Sequence, residues 1–396
     1  MTDVAARDGF SAALSAYRDL ERWLFDAALP LWSTVGTDRV NGGFFEKIDR
    51  RGAPVEEPRR TRVVGRQIYA YATGGRINWQ GPATEIVTHG LDYFFRCCLA
   101  TDGTVVMSSR PTGEVVDGRF DLYDHAFALF GLAAAHRLTP DRRLVETAER
   151  MRTRMREGWG HPSRGFEESV PRTLPLKANP HMHVFEAALA WIEALDGRDA
   201  DGWYALADEI AELCLDRFID PKTGALREFF DGEWNPIDGE DGRLVEPGHQ
   251  SEWAWLLYRW GWMRGDDRAR TAAARLVDIA EDHGTDPERG ITFNELWDDL
   301  SVRNLDARLW PQTERIKAWL ARARDESDPV RRDHAFRRVA LASDGLKKYL
   351  EADVNGAWNE RMKPDGTFLD EPSPASSLYH ITCAIAEMHD VLAMPR

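Results

Sequence analysis

The sequence predicts an all-α fold, an (α/α)6 barrel of about twelve helices with short β-hairpin loops at one rim. Three observations lead to this prediction. Glycine-centred turns recur six times in the 396 residues, at separations of 59 to 66 residues. Two stretches with apolar residues at three- and four-residue spacing lie between consecutive turns, which is typical of amphipathic helices. Short and long connections alternate between these helices, as they do in a ring of six helical hairpins.

The six turns resemble one another, because each combines a glycine with a short strand-like stretch. They centre on Gly43, Gly103, Gly165, Gly224, Gly290 and Gly356. One such turn is an ordinary hairpin signal, but six at nearly constant spacing indicate a repeat. An open superhelical stack of helical hairpins is the alternative architecture. The absence of distinct terminal caps favours closure, so we expect one barrel domain over residues 1–396.

The helical patterns follow the turns in order and have an apolar face each. They cover residues 8–32, 61–73, 83–100, 122–137, 141–156, 181–195, 202–218, 250–263, 268–283, 311–324, 329–352 and 377–392. Short links such as LTPDRR, DGRDADG and RGDDRA join the two helices of a pair. The long loops therefore lie together at the other rim, where each leads into an inner helix.

Composition restricts the partners and the location. The chain has 51 Lys and Arg residues against 66 Asp and Glu residues, a formal net charge of −15, which disfavours nucleic acids and anionic membranes. The longest apolar run, AFALFGLAAA, is too short to span a bilayer, and the N-terminal segment lacks a secretory pattern. The four cysteines show no CxxC or zinc-type spacing. We expect a cytoplasmic monomer or homodimer that binds a small molecule.

Residues capable of chemistry recur in the first turns of the predicted inner helices. They are Arg66, Tyr123, His125, Asn179, His183, His249, Glu252, Trp310 and His380. A single histidine on an inner helix is more often a hydrogen-bonded core residue than a catalyst. Their similar distance from the preceding glycine turn nevertheless indicates a shared site at the barrel mouth. His125 has the alternative role of anchoring its own loop, and we expect His181 to be structural.

Several kinds of chemistry find no support in the sequence. It contains no glycine-rich phosphate loop, dinucleotide-binding fingerprint, HExxH motif or nucleophile elbow. A metal isomerase remains an alternative, with His183, His249, His380 and Glu252 as the ligand set. Nothing in their spacing brings these four side chains to one ion, so we predict no metal site.

Six segments resemble the N-acylglucosamine 2-epimerase superfamily over essentially the full chain. They are GRQIYAYA, LYDHAFAL, NPHMHVFEAALAW, EPGHQSEWAWLL, LWPQTERIKA and SLYHITCAIAE. Taken singly, only GHxxEW is fairly specific, but together and in this order they are a strong match. Within the superfamily, YDHAF and NPHMH are most similar to the bacterial mannose isomerase branch. The resemblance implies an (α/α)6 barrel, no metal or redox cofactor, and proton transfer at the carbon next to a sugar carbonyl.

The resemblance also implies roles for individual residues. His249 and His380 match the catalytic histidines, and the substrate-contacting set is Arg66, Tyr123, Asn179, His183, Glu252 and Trp310. Arg62, one helical turn earlier, is the alternative to Arg66. Neutral imidazole, with an ordinary pKa of about 6.5, suits proton transfer near neutral pH. We therefore expect His380 to be the base at C2, His249 to assist ring opening, and Arg66 to stabilise the oxyanion.

Two outcomes share the enediolate intermediate. Return of the proton to C1 interconverts D-mannose and D-fructose, and D-lyxose and D-xylulose in the same way, whereas return to C2 from the opposite face is 2-epimerisation. The resemblance favours the isomerase. An inverting glycoside hydrolase is a further alternative, which requires two carboxylates roughly 6.5–9.5 Å apart. A non-catalytic sugar-binding protein is the last alternative, and it gives no reason for several histidines at one rim.

Overall fold

The computed structural model describes residues 8–393. Its helices follow the predicted order. They are α1 (Gly9–Trp23), α2 (Leu29–Thr34), α3 (Thr61–Arg76), α4 (Ala83–Tyr93), α5 (Leu122–Leu138), α6 (Arg142–Trp159), α7 (Ala178–Ala194), α8 (Asp201–Leu213), α9 (Pro247–Arg264), α10 (Asp267–Asp282), α11 (Trp310–Asp325), α12 (Pro329–Leu350) and α13 (Leu378–Met388). One-turn π-helical segments continue four of them, at Leu24–Ala28, Phe94–Cys98, Cys214–Phe218 and His389–Ala393.

Six helices form a closed inner ring. Helices α3, α5, α7, α9, α11 and α13 each pack against the next, and α13 packs against α3. Helices α4, α6, α8, α10 and α12 each cover the inner helix that precedes them, and α1 packs against α12 and α13. This closure confirms the predicted (α/α)6 barrel and excludes the open stack, whose first and last hairpins would not meet.

The inner and outer helices differ in sequence because they differ in surroundings. Helix α5 is buried over nearly its whole circumference, whereas α6 buries one face with Leu144, Ala148, Met151 and Met155. Helices α3 and α5 approach closely through Gly65 and Gly131. A Cβ atom on Gly65 would lie 2.2 Å from the Phe127 carbonyl oxygen, and one on Gly131 would lie 2.6 Å from that of Gly65. Glycine at these two positions allows the backbones to touch.

Short antiparallel strands join the loops at the rim that carries the N-termini of the inner helices. They are β1 (Lys47–Ile48), β2 (Arg59–Arg60), β3 (Ser108–Ser109), β4 (Val115–Asp117), β5 (Leu176–Lys177), β6 (Phe229–Phe230), β7 (Leu244–Val245), β8 (Thr285–Asp286), β9 (Ile291–Thr292), β10 (Glu295–Trp297), β11 (Val302–Asn304), β12 (Ala307–Arg308), β13 (Arg361–Met362) and β14 (Ser373–Pro374). The sheets are β2-β3-β4, β5-β6, β7-β10-β11, β8-β9, β12-β13 and β1-β14. Pairing of β1 with β14 joins the first loop to the last.

The six turn glycines have left-handed backbone conformations, which confirms the repeat. Their φ angles lie between +68° and +92°. A residue with a Cβ atom is strained in this region, whereas glycine adopts it at little energetic cost.

No helix within residues 8–393 is long and apolar enough to cross a bilayer. All four cysteines are buried free thiols.

Four buried side chains fasten the inner helices to the loops in the same way. Each side chain accepts a hydrogen bond from a loop amide and donates one to the backbone carbonyl of the residue four positions earlier in the sequence. They are His125 with Val105 and Asp121, His181 with Phe166 and Lys177, Gln250 with Leu226 and Glu246, and Gln312 with Thr292 and Arg308. We call these four the fastening residues. His125 therefore anchors its loop, and grouping it by phase with the site histidines was wrong.

Candidate active site

The N-termini of the six inner helices surround a cavity of about 160 Å³. All eight residues predicted for the site line it, and every inner helix contributes at least one of them. They are Arg66, Tyr123, Asn179, His183, His249, Glu252, Trp310 and His380. Five further lining residues were not predicted: Glu246, Arg308, Glu360, Ser376 and Ser377. These five precede their inner helices in the chain, so a search of first helical turns misses them.

His249 lies in an acidic environment. Its Nδ1 atom is 3.0 Å from Glu228 Oε1 and 3.8 Å from Glu246 Oε2. Burial disfavours the charged imidazole, but the two carboxylates outweigh burial and raise the pKa of His249 to about 9. This histidine is therefore an imidazolium at neutral pH.

His380 differs from His249 in its charge state. Its Nδ1 atom lies 2.8 Å from Glu314 Oε1. Burial lowers the pKa of His380 well below its usual range, and the nearby cations Arg66 and Lys317 act in the same direction. The imidazole is therefore neutral and carries one proton, so that one ring nitrogen donates and the other accepts. The nitrogen that faces Glu314 is Nδ1.

A buried acidic cluster lies beside these histidines, and its members come from α7, α9 and α13. His183 Nδ1 is 3.0 Å from Glu186 Oε2, and burial lowers the pKa of His183 to about 4. The Tyr379 hydroxyl lies 3.1 Å from Glu186 Oε2 and 3.2 Å from Glu252 Oε1. Burial, together with the neighbouring Glu314 carboxylate, raises the pKa of Glu252 well above its usual range. Glu252 is therefore protonated and can donate a hydrogen bond.

Two lining residues present polar atoms that have no protein partner. Arg66 donates from Nη2 to the Tyr123 hydroxyl at 2.6 Å, while its buried Nε has no hydrogen-bond partner. The buried Oδ1 of Asn179 also has none. Buried polar atoms are normally satisfied, and these two belong to side chains that line the cavity.

Arg66, and not Arg62, is the arginine of the cavity. Arg62 pairs with Asp124, with 2.6 Å between Nη2 and Oδ2, and it does not line the cavity. The guanidinium of Arg66 lies 4.0 Å from the centre of the Phe127 ring. This contact fixes the plane of the guanidinium.

Trp310 forms the wall between the two site histidines. Its ring centroid is 5.0 Å from that of His249 and 5.8 Å from that of His380, with both planes tilted by about 35°. Among the described residues, it is the one tryptophan that lines this cavity. Trp253, Trp255 and Trp260 are buried in the core.

Two groups of side chains in the described part of the chain have the proximity that a metal ion requires. One contains His183, Glu186 and Glu252, and the other Glu252, Glu314 and His380. Their ligand atoms lie within 4.8 Å of one another. The donors are already engaged, however, because the Lys317 ammonium lies 2.6 Å from Glu314 Oε2 and Tyr379 bridges two of the glutamates. The ammonium supplies the positive charge of this cluster, and the residues fit a metal poorly.

A larger cavity of about 790 Å³ lies at the opposite rim. The last turns of the inner helices line it, with arginines that pair with acids, as Arg76 does with Asp390 at 2.8 Å. Cations in the last turn of a helix stabilise the partial negative charge of the carbonyl groups at its C-terminus. The lining contains no histidine, so we assign the candidate active site to the smaller cavity.

Comparisons with known proteins show which enzymes the chain resembles. The chain is 45% identical over 376 residues to a mannose-6-phosphate isomerase of Rhizobium meliloti, covering 94% of this chain and 97% of that protein. It is 27% identical over 287 residues to a D-mannose isomerase of Thermobifida fusca, covering 64% of each chain. A crystal structure of D-mannose isomerase superposes with a TM-score of 0.83 at 18% identity, over 95% of this chain and 97% of that one.

The fold and the histidine-lined cavity define an (α/α)6-barrel enzyme of the class that contains sugar isomerases and 2-epimerases. The sequence matches the N-acylglucosamine 2-epimerase family over residues 43–384. The chain belongs to this family.

Proposed function

We propose that the protein is a metal-independent aldose–ketose isomerase that interconverts D-mannose and D-fructose through an enediolate. The observation that carries the proposal is the different surroundings of the two histidines beside Trp310, which give them different charge states. His249 is cationic because Glu228 and Glu246 surround it, and His380 is neutral because it is buried near Arg66 and Lys317. A neutral imidazole accepts a proton and an imidazolium donates one, so the cavity holds a base and an acid at the same pH.

Each histidine then has one task. His249 protonates the ring oxygen as the pyranose opens and recovers the proton of the anomeric hydroxyl as the C1 carbonyl forms. His380 removes the C2 proton through Nε2 and delivers it to C1 on the same face, while His249 relays the O2 proton to O1. The Arg66 guanidinium stabilises the developing oxyanion, and protonated Glu252 donates a hydrogen bond to a sugar oxygen. Asn179 and His183 hold further hydroxyls, with the free Asn179 Oδ1 as an acceptor.

The cavity favours a single small sugar. Its volume of about 160 Å³ is below the roughly 300 Å³ at which typical ligand sites begin. An oligosaccharide, as a glycoside hydrolase requires, would not fit inside it. Its lining also contains three glutamates, two arginines and three histidines, a set of ionisable groups that a protein that only binds sugar does not need.

The cations of the lining already have protein partners, which favours a neutral sugar over a phosphorylated one. Arg66 donates to the Tyr123 hydroxyl at 2.6 Å, and His249 faces Glu228 at 3.0 Å. Arg308 is already paired with Glu246 at 2.8 Å. The name of the Rhizobium relative nevertheless makes mannose 6-phosphate the second substrate to test.

The geometry of the two histidines also permits 2-epimerisation, in which His249 reprotonates C2 from the other face. The 45% identity to a protein named as an isomerase supports isomerisation, and so does the similarity to a D-mannose isomerase.

The deciding experiment incubates the enzyme with D-mannose, and separately with D-mannose 6-phosphate, in deuterated water. We expect fructose as the product of D-mannose by NMR, with a lower kcat/KM for the phosphate ester. Glucose as the product would identify a 2-epimerase. Failure of every hexose tested to exchange its C2 proton would contradict both activities.

A further inference from the structure

Lys317 is a completely buried lysine beneath the active-site cavity. It lies on α11, three residues after Glu314, and both side chains have no exposed surface. Its ammonium nitrogen is 2.6 Å from Glu314 Oε2, 3.7 Å from Cys383 Sγ and 3.9 Å from the centre of the Trp255 ring. Lys317 does not line the cavity, so it acts on the substrate only through another residue.

Glu314 connects this lysine to the proposed base. One carboxylate oxygen, Oε2, faces Lys317, and the other, Oε1, lies 2.8 Å from His380 Nδ1. The Thr313 hydroxyl lies 3.1 Å from Oε1, but its one hydrogen has a closer acceptor in the Trp310 carbonyl oxygen, at 2.6 Å. The ammonium contact requires an acceptor atom on Glu314, which an ionised carboxylate provides on both oxygens.

We propose that Lys317 is a positioning residue that keeps Glu314 ionised and thereby holds His380 in the tautomer with its proton on Nδ1 and a free electron pair on Nε2. The inference rests on the proposed function for its catalytic meaning, whereas the tautomer itself is independent of any substrate.

The Lys317 charge determines whether Glu314 is protonated, and therefore which nitrogen of His380 carries the imidazole proton. Burial raises the pKa of Glu314, and the Lys317 cation is the largest influence that lowers it. Without that cation, the buried carboxyl group takes up a proton. A protonated carboxyl group donates to His380 Nδ1, and the imidazole proton then resides on Nε2. His380 would present a donor to the cavity, and a donor cannot abstract the C2 proton.

The surroundings of both groups agree with this role. Lys317 faces Glu252 from α9, Glu186 from α7 and Cys383 from α13, in addition to Glu314 on its own helix. His380 faces Arg66 from α3 and His183 from α7 besides Lys317 and Glu314. Among these carboxyl groups, Glu314 is the one that contacts the ammonium, at 2.6 Å, and it has the strongest interaction with the lysine charge.

The test measures the tautomer of His380 directly. The ¹⁵N shifts of histidine-labelled enzyme distinguish protonated Nδ1 from protonated Nε2, and the spectrum of His380→Asn identifies the signals of this residue. We expect Nδ1–H in the unaltered protein and Nε2–H in Lys317→Met, which keeps the length of the side chain and removes its charge. Exposed Lys222 provides the matched control, Lys222→Met, with no change.

Kinetics provide the second measurement. In Lys317→Met, kcat for C2-proton exchange should fall about 100-fold, the lower end of what a general base contributes, while KM changes little. In a Glu314→Gln background, adding Lys317→Met should change neither the tautomer nor kcat further. This pair of variants also serves if Lys317→Met alone does not fold, because the double variant removes both members of the buried ion pair.

The outcomes separate this inference from the proposed function. An unchanged Nδ1–H tautomer in folded Lys317→Met overturns the role of Lys317, whatever happens to activity. A further loss in the Glu314→Gln background also overturns it, because Lys317 would then act by another route. A switched tautomer, in an enzyme whose unaltered form exchanges no sugar C2 proton, supports the role of Lys317 and contradicts the isomerase.

Discussion

His249 Nδ1 lies 3.0 Å from Glu228 Oε1, and this buried contact is the main reason why the two site histidines carry different charges. Glu228 belongs to the loop before α9, so it reaches His249 from outside the helix. Removing the charge of Glu228 while keeping its shape should therefore lower the pKa of His249.

The first prediction concerns the pH profile of Glu228→Gln. The acid form of His249 is required, so activity should fall as pH rises through about 9 in the unaltered enzyme. Loss of the carboxylate lowers this pKa, and the alkaline limb of log kcat against pH should move to lower pH. Glu157→Gln, which removes one exposed acid, should leave the limb unchanged. A limb that stays at about pH 9 in Glu228→Gln would assign it to a different group.

The second prediction concerns His380→Asn. The variant should lose exchange of the C2 proton by about 10²- to 10⁴-fold, because a general base contributes roughly that factor. The far-UV circular dichroism should match that of the unaltered protein. His283→Asn, at an exposed position outside the cavity, is the control and should keep full activity. Persistent C2 exchange in His380→Asn would refute its assignment as the base.

The helices and the cavity residues were predictable because their signals are local. The 3.6-residue period and the six glycine turns place each inner helix, and the position within the helix then places residues such as Arg66 and His380 at the mouth. The partners of the histidines were not predictable in this way. Glu228 lies 21 residues before His249, and Glu314 lies 66 residues before His380, so only the closed ring brings them together.

The error over His125 has a similar origin. The fastening residues and the cavity residues occupy neighbouring positions in the same helical turn, as His181 and His183 do on α7. A helix turns by about 100° per residue, so a shift of one or two positions moves a side chain from the cavity to the loop side. The distance from a glycine turn does not distinguish such neighbouring positions. The polar pair Glu314 and Lys317, within a helix predicted to be buried, was the signal that could have revealed the acidic cluster.

The third prediction concerns the fastening residues. Gln250 and Gln312 make the same pair of hydrogen bonds as His125 and His181, so glutamine should replace either histidine well. We expect His125→Gln to be more stable than His125→Ala, which leaves the buried Val105 amide unsatisfied at a cost of roughly 1–3 kcal/mol. Urea unfolding measures the difference. Equal stability of the two variants would show that these hydrogen bonds contribute nothing.

The fourth prediction concerns the pH dependence of stability. Burial lowers the pKa of His125 to about 4. A histidine with a lowered pKa contributes stability above its unfolded value of about 6.5, and that contribution is lost as pH falls towards the folded value. The fall in Tm between about pH 7 and pH 5 should therefore be smaller in His125→Gln than in the unaltered protein. An equal or larger fall in the variant would contradict a neutral, buried His125.

The fifth prediction concerns Asn179 and the ligand. Its buried Oδ1 has no protein partner, so we expect it to accept a hydrogen bond from a sugar hydroxyl. Asn179→Leu should raise KM about tenfold, which corresponds to roughly 1.4 kcal/mol, and should change kcat much less. Steady-state kinetics with D-mannose separate the two parameters. If kcat fell while KM stayed constant, Asn179 would stabilise the transition state alone, and its role would be chemical. An unchanged KM and kcat would instead mean that the free oxygen faces no substrate group.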